Sequence, residues 1–318
     1  MEAFILKSTV KSISRKKKQG ITAILKKEWP LHLMLLPAVA IILIYSYGPM
    51  LGSCIAFQNF IPAKGIFGSG WVGWANFKRL FSLPNFNQVL LNTVSISLQK
   101  MVWGIVIPVI FAILLNEVSN KIFKKVFQTL IYVPNFLSWI ILAGIMTDIL
   151  SPSGGIVNQI LSYFNIGPIF FLGEPQYFQG TIIVTDIWQR FGFGTVVYLA
   201  ALTGIDPALY ESAQMDGANR WQQTLHITLP GLKPMIVLMT ILSMGSVLNA
   251  GFDQIFNMYS PQVYETGDIL DTLIYRLGME QAQFSLATAA GLFKSAISFV
   301  FVVTSYYLAD KFADYRVF

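Results

Sequence analysis

Residues 33–57 read LMLLPAVAIILIYSYGPMLGSCIAF, a run of 25 residues without a charged side chain. A helix needs about 20 predominantly apolar residues to cross the hydrocarbon core of a membrane. The run is longer than the apolar region of a secretory signal peptide, and no small-residue cleavage motif closes it. We therefore interpret it as a retained transmembrane helix.

The rest of the chain has the same character. Of its 318 residues, 54% are hydrophobic and only 12% are charged, whereas about 25% are charged in soluble domains. Five further apolar segments are long enough to span a membrane, at roughly 88–115, 126–147, 181–205, 234–252 and 284–309. The sequence therefore predicts an all-α, polytopic membrane helix bundle with six transmembrane helices between residues 33 and 309.

Charged residues interrupt three of these spans, namely Lys100 in the second, Asp186 and Arg190 in the fourth, and Lys294 in the sixth. A charge at membrane depth usually faces protein or water instead of lipid. Asp186 and Arg190 are four residues apart on one helical face, so we predict a local ion pair with a structural role. The uncharged stretch 149–173 is rich in proline, glycine and asparagine, and we interpret it as an interfacial segment on the outer face.

The positive charge is concentrated at the N-terminus. Residues 1–30 contain eight basic side chains, Lys7, Lys11, Arg15, Lys16, Lys17, Lys18, Lys26 and Lys27, against Glu2 and Glu28. The other residues balance at 14 basic and 14 acidic, so the basic pI describes a tail, predicted at 1–32, and not a nucleic-acid-binding face.

The loops indicate the orientation of the chain. With a cytoplasmic N-terminus, the inner segments hold fifteen basic residues, including Lys311 and Arg316, and the outer segments only four. The positive-inside rule then places both termini in the cytoplasm, the C-terminal one as a short segment at 310–318.

Several classes of chemistry are not supported by the sequence. A Gly-Lys dipeptide does not occur, which excludes the phosphate-binding GxxxxGK[ST] loop. His32 and His226 lie 194 positions apart, and Cys54 is the only cysteine, so neither a metal site nor an intrachain disulfide is predicted. The longest connection, 148–180, has 33 residues, fewer than the roughly 40 that an unstapled domain needs. We predict no catalytic residue and no enzyme activity on this chain.

The connection between the fourth and fifth spans, residues 205–230, reads IDPALYESAQMDGANRWQQTLHITLP. Asp206 followed by Pro207 marks a helix start, because Asp caps the first amides and proline fits the first turn. Gly217 suits the turn that ends this helix. A second short helix is predicted at about 219–229, before the final proline forces a bend. Two short helices folded into a knob are more than a simple connection needs.

This loop closely resembles the EAA motif of permease subunits of binding-protein-dependent ABC importers. The one departure is Ser212, a small residue where alanine is usual. The resemblance assigns nine residues to the motif: Glu211, Ser212, Ala213, Asp216, Gly217, Ala218, Ile227, Leu229 and Pro230. It extends over most of the chain, from 74–77 to 288–292, and is greatest to carbohydrate permeases such as those for maltose, glycerol-phosphate and alginate.

The resemblance implies a type I ABC importer permease fold in a bacterial cytoplasmic membrane. It implies four kinds of partner, namely a second homologous permease, two cytoplasmic ATPase subunits, an extracytoplasmic solute-binding protein and a sugar. ATP and magnesium would be bound by the ATPases, and this chain would carry no cofactor. Residues 206–230 would form the coupling loop that sits in a cleft of the ATPase, whose closure would switch the bundle between inward- and outward-facing states.

Other functions stay open from the residues alone. A stand-alone secondary transporter would need internal repeats or broken helices at matching positions, and no convincing pair is evident. A membrane-embedded enzyme would need an acid, base or metal cluster at one depth. Among ABC permeases, an amino acid is the alternative to oligosaccharides or polysaccharide fragments as the substrate.

A substrate path is predicted around the end of the fifth span. Sugars bind to aromatic faces combined with amide and hydroxyl groups, and this region has that mixture. The predicted path residues are Trp188, Gln189, Asn249, Phe252, Gln254, Phe256, Asn257 and Tyr259. The alternative is that these side chains only pack helices together, since amides often link transmembrane helices.

Overall fold

The structure is a computed structural model that describes residues 21–313. Most of the predicted basic tail, namely Lys7, Lys11, Arg15, Lys16, Lys17 and Lys18, lies outside the described residues, as does Arg316. The chain divides into two compact units, the first ending at Cys54 and the second beginning at Ile55.

The first unit is helical along its described length. Helix α1 (Ile21–Ile42) continues through a π-helical turn at Leu43–Tyr47 and a short α-helical turn into a 3-10 turn at Leu51–Phe57. The apolar stretch able to span a membrane is Trp29–Phe57, in agreement with the first predicted span. The helix begins at Ile21, however, so the predicted tail boundary at residue 32 lies within it.

The second unit contains a small hairpin and the remaining helices. Strands β1 (Gln58–Asn59) and β2 (Gly70–Trp71) pair in antiparallel fashion. The helices are α2 (Ala75–Phe81), α3 (Phe86–Glu117), α4 (Lys121–Tyr132), α5 (Trp139–Ile149), α6 (Ile156–Tyr163), α7 (Pro175–Leu202), α8 (Pro207–Met215), α9 (Arg220–Gln223), α10 (Leu229–Met244), α11 (Phe252–Met258), α12 (Leu270–Tyr275) and α13 (Phe284–Ala313). Short 3-10, α- or π-helical turns lie between several of them.

Four stretches in the described chain are long and apolar enough to cross a membrane: Trp29–Phe57, Phe86–Glu117, Arg220–Met244 and Phe284–Tyr307. Two bent helix pairs raise the number to six if each pair counts as one span. The prediction of an all-α, polytopic membrane fold is confirmed. Helix α13 continues to Ala313, beyond the predicted end of the last span at residue 309.

The third predicted span, 126–147, is not one straight helix. The segments Lys121–Phe136 and Trp139–Ile149 meet at an angle of 107°. Pro134 opens the last turn before the break, and the backbone is extended at Leu137 and Ser138, which interrupts the helical hydrogen bonds.

The fifth predicted span, 234–252, also ends earlier than expected. Helix α10 stops at Met244, and turns follow until Gly251, whose φ of 94° lies in the left-handed region that favours glycine. Helix α11 then starts at Phe252 as a separate element. The chain is therefore broken next to the region where the substrate path is predicted.

Buried side chains hold the broken segments against the long helices. One cluster joins Ile96 of α3, Trp139 and Leu142 of α5, Ile182 of α7 and Ile255 of α11. A second lies where α3, α7 and α10 meet. This packing fixes the break after α10 against α3, α5 and α7.

The predicted interfacial segment 149–173 forms an ordered lobe around a buried asparagine. It contains only one short helix in place of a continuous span, as its composition predicts. The amide of Asn158 donates to the carbonyls of Leu150, Ser151 and Ile169 and accepts from the Ile169 N–H. One side chain thus satisfies backbone groups that regular structure leaves free.

Candidate functional site

The loop after α7 builds its first helix as the sequence predicts. The Asp206 side chain accepts a hydrogen bond from the Ala208 N–H at 3.0 Å, and Pro207 occupies the first turn of α8. Helix α8 ends at Met215, and Gly217 reverses the chain with a φ of 78°. An L-residue other than glycine is strained in this conformation.

The second helix of the loop differs from the prediction. Asn219 and Gln222 form a reciprocal capping box, with hydrogen bonds of 2.9 and 2.8 Å. The helix then runs on from Arg220 to Met244 and joins the fifth span directly, without the predicted bend at Pro230. Pro230 lies in the first turn of α10 and lacks a backbone N–H donor. The π-helical turn at Thr224–Thr228, which precedes it, shifts the helical hydrogen-bond pattern at this point.

Helix α8 is largely exposed and is turned 73° away from α7. Six motif residues are exposed, namely Glu211, Ser212, Asp216, Gly217, Leu229 and Pro230, and the other three, Ala213, Ala218 and Ile227, are half-buried. Five of the nine, Ala213, Asp216, Gly217, Ala218 and Ile227, line a cleft of about 330 Å³. The apolar side chains of Met215 and Trp221 are 89% and 73% exposed. A self-capped knob with an exposed apolar and acidic surface is suited to docking on another protein.

A second candidate site lies beside the break between α10 and α11. A cavity of about 550 Å³ is lined by residues of α3, α7 and α10 and by the segment that follows α10. A neighbouring cavity of about 370 Å³ shares Trp139, Arg190, Asn249 and Gly251 with it. This volume can hold a small organic ligand, since ligand sites typically measure about 300–1,000 Å³.

A buried ion pair forms the wall of the larger cavity. Lys100 Nζ of α3 lies 3.3 Å from Asp186 Oδ1 of α7, and the two side chains are 9% and 8% exposed. Lys100 also donates to the Ala250 carbonyl at 2.8 Å and to Gln254 Oε1. The lysine therefore joins α3 to α7 and to the broken segment.

Gly251 and Gln254 complete this junction. A Cβ at Gly251 would lie 3.0 Å from Lys100 Nζ, so the close approach favours glycine in addition to its positive φ. Gln254 is fully buried, and its amide donates to the Ile182 carbonyl and to Thr185 Oγ1, both at 2.8 Å. The polar groups of Gln254 are thus committed to holding α11 against α3 and α7.

The predicted ion pair between Asp186 and Arg190 is present, with Arg190 Nε 3.3 Å from Asp186 Oδ1. Its partners are unequal, because the Arg190 side chain is 61% exposed and lines both cavities while Asp186 is buried. Asp186 therefore lies between two cations, one buried and one facing the open space.

The structure brings together four of the predicted path residues. Gln189, Asn249, Phe252 and Gln254 line one or both cavities, and Asn249 is exposed there. The remaining four, Trp188, Phe256, Asn257 and Tyr259, do not line these two cavities.

The residues outside the cavity have other surroundings. The Trp188 side chain is 39% exposed on another face of α7. The Asn257 amide donates to the Asp253 carbonyl in its own helix. Tyr259 packs on Tyr264, with ring centroids 5.0 Å apart. Burial, with a smaller contribution from Tyr264, raises the pKa of the Tyr259 phenol above its usual range.

The predicted substrate path included none of the charged residues that line the cavities, although four of them were identified as charges inside apolar spans. Lys100 and Asp186 pair across 86 positions, and Lys294 Nζ pairs with Asp271 Oδ1 at 2.5 Å next to Arg190 and Asn249 in the smaller cavity. The available signal was the position of these charges inside apolar spans, which indicates water or protein nearby but names no partner.

Known proteins resemble this chain over nearly its whole length. A family model described as the binding-protein-dependent transport system inner membrane component matches residues 104–314. The polygalacturonan/rhamnogalacturonan transport system permease protein YteP of Bacillus subtilis (strain 168) is 39% identical over 303 residues, which cover 95% of this chain and 94% of that protein.

Two solved structures are also similar. A permease chain in the crystal structure of a bacterial ABC transporter that imports the acidic polysaccharide alginate has 38% identity and a TM-score of 0.85, covering 92% of this chain and 99% of that one. A chain in an alginate ABC transporter in complex with an alginate pentasaccharide-bound periplasmic protein has 38% identity and a TM-score of 0.84, covering 92% and 98%.

Proposed function

Because the chain belongs to the family of binding-protein-dependent transport system inner membrane components, we propose that it passes fragments of acidic polysaccharides through the cavity beside the break after α10. The chain is a permease subunit of an oligosaccharide ABC importer and a transport subunit, not an enzyme. The names of the relatives support the acidic class, since they concern polygalacturonan/rhamnogalacturonan and alginate.

The observation that carries the proposed path is the position of the cavity. Transporter sites often lie where helices are discontinuous, and this cavity adjoins the turn segment between α10 and α11. Together with the neighbouring smaller cavity, it combines the exposed Asn249 amide, the aromatic rings of Phe193 and Phe252 and an exposed arginine. Such a surface can cover a sugar ring and satisfy its hydroxyl and carboxylate groups.

We expect Asn249→Ala to lower uptake of an oligogalacturonide about two- to tenfold, because an amide that hydrogen-bonds a substrate contributes roughly 0.5–1.5 kcal/mol and its loss leaves sugar hydroxyls unpaired. The measurement is initial uptake rate at equal membrane level. Asn257→Ala is the matched control, since Asn257 lies outside the cavity and donates to a carbonyl of its own helix. Normal uptake by Asn249→Ala would place the path elsewhere, and an equal loss in Asn257→Ala would show that the effect is not specific to the cavity.

The exposed loop 206–230 is proposed to be the coupling element. A cytoplasmic ATPase is its expected partner, because this chain has no nucleotide-binding loop and the similar solved structures are of ABC transporters. The exposed Met215 and Trp221 and the carboxylate of Glu211 would contact the ATPase. The uninterrupted helix from Arg220 to Met244 supports direct transfer of a motion of the loop to the fifth span.

The remaining partners follow from the same family. The complete importer is proposed to contain a second homologous permease, two ATPases that bind ATP and magnesium, and an extracytoplasmic binding protein that delivers the sugar. The bundle would alternate between inward- and outward-facing states as the ATPase dimer closes and opens. A stand-alone secondary transporter does not fit membership of this family.

We propose that both termini are cytoplasmic, as the basic residues of the loops indicate. In a Cys54→Ser background, a cysteine at Ser153 should react with a membrane-impermeant maleimide in intact cells. A cysteine at Gln214 should react only after permeabilisation. Both positions are exposed. Labelling of Gln214→Cys in intact cells would show that the chain has the opposite orientation.

A further inference from the structure

We propose that Arg190 binds the carboxylate groups of the substrate and thereby makes the permease itself selective for acidic sugars. This inference rests on the proposed function, because it assigns the acidic part of the substrate to one side chain of the cavity. It goes further in placing part of the selectivity on this chain and not on the binding protein alone.

The geometry of Arg190 leaves most of its guanidinium free. The contact recorded between the guanidinium and Asp186 is from Nε, at 3.3 Å, and the two terminal nitrogens have no hydrogen-bond partner among the residues that the structure describes. The side chain is 61% exposed and belongs to the lining of both cavities. A guanidinium whose terminal N–H groups are free can take a carboxylate with two parallel hydrogen bonds.

The charge balance of the larger cavity favours an anion. Lys100 already lies beside Asp186, so Lys100, Asp186 and Arg190 together carry one net positive charge. Lys100 cannot readily contact a substrate, because it is buried and donates to Ala250 and Gln254. The positive charge open to the larger cavity is therefore that of Arg190.

The smaller cavity contains two further carboxylates, and neither of them pairs with Arg190 within 4 Å. Asp271 is neutralised by Lys294. Asp253 is exposed in the first turn of α11, where the free amides of the helix stabilise a negative charge. The free terminal nitrogens of Arg190 thus remain available to a ligand.

The neighbours of Arg190 suit the remainder of a uronic acid unit. Phe193 is 52% exposed in the larger cavity and can cover the apolar face of a pyranose ring. Asn249 lies in both cavities and offers an amide to sugar hydroxyls.

The test uses the complex of this chain with its partner permease and ATPases, without the binding protein. Equilibrium dialysis measures the affinity for two acidic probes, trigalacturonate and an alginate trisaccharide, and for their neutral methyl esters. Arg190→Gln removes the positive charge. Arg190→Lys keeps the charge but lacks the two parallel N–H donors of a guanidinium. Arg79→Gln is the matched control, because Arg79 is an exposed arginine that does not line either cavity.

We expect the wild-type complex and Arg79→Gln to bind at least one acidic probe about tenfold or more tightly than its ester. Arg190→Gln should lose this preference through weaker binding of the acid, with its affinity for the ester unchanged, and Arg190→Lys should be intermediate. A preference that survives in Arg190→Gln, or an equal loss for acid and ester, overturns the role of Arg190. A wild-type complex without any preference for an acid overturns the proposed acidic substrate, and the inference with it.

Discussion

Gly217→Trp is expected to reduce both uptake and substrate-stimulated ATP hydrolysis by more than about tenfold, since a left-handed conformation costs an L-residue roughly 1–2 kcal/mol. Gly217 has a φ of 78° at the end of α8 and lies on the rim of the exposed cleft. A Cβ there meets no neighbouring atom within 4 Å in the part of the chain that the structure describes. The indole would therefore project toward the docking partner and obstruct it. Uptake and ATP hydrolysis of the reconstituted complex are the measurements.

Two variants separate the backbone effect from the effect of bulk. Asparagine tolerates positive φ and is small, so Gly217→Asn should keep most of the activity. Gly217→Ala introduces the strain without the bulk and should be intermediate. The level of the chain in the membrane should stay unchanged in all three, because Gly217 is exposed. Full transport by Gly217→Trp would show that the loop is not the contact with the ATPase.

The local features of this loop could be predicted because they depend on neighbours in sequence. Asp206 and Pro207 start a helix and Gly217 ends it, as the sequence indicates. The continuation of the next helix through Pro230 could not be predicted in the same way. The π-helical turn at Thr224–Thr228 that precedes the proline leaves no signal in local propensities.

The apolar spans could also be predicted, since their length and composition follow from the thickness of the bilayer. Their interruptions were only partly visible. The bend of 107° after Phe136 and the early end of α10 at Met244 occur inside apolar runs, where hydropathy does not distinguish a helix from a turn. Gly251 was a possible indicator, but its positive φ depends on the tertiary packing of α11.

The composition of the cavity depends on contacts between distant residues. The pair of Asp186 and Arg190 is predictable, because its members are one helical turn apart. Lys100 lies in another helix, and its approach to Asp186 and Ala250 requires the fold. Which side chains face the cavity also depends on the fold. The predicted path therefore included Asn249, which faces the cavity, together with Trp188 and Asn257, which do not line it.

Asp186→Asn is expected to destabilise the protein by about 3–5 kcal/mol, the usual effect of leaving one member of a buried ion pair uncompensated. Lys100, whose side chain is 9% exposed, would keep its contacts with Ala250 and Gln254 but would lose the neighbouring carboxylate. The expected result is a lower thermal midpoint of the purified complex and less of the chain in the membrane. Glu117→Gln is the control, since it breaks the exposed pair with Arg220 and should change stability by at most about 1 kcal/mol.

The double variant Lys100→Met/Asp186→Asn tests whether the charge itself is the cause. It removes the cation together with its partner, so it should be more stable than Asp186→Asn alone, although Gln254 and the Ala250 carbonyl each lose a donor. Arg190 should contribute little to the difference, because its side chain is largely exposed and can be solvated without Asp186. The opposite outcome is a loss of stability in the double variant as large as the sum of the losses in Lys100→Met and Asp186→Asn. The ion pair would then not be what holds α3, α7 and the broken segment together. The wall of the cavity would instead be fixed by the apolar packing of Ile96, Ile182 and Ile255.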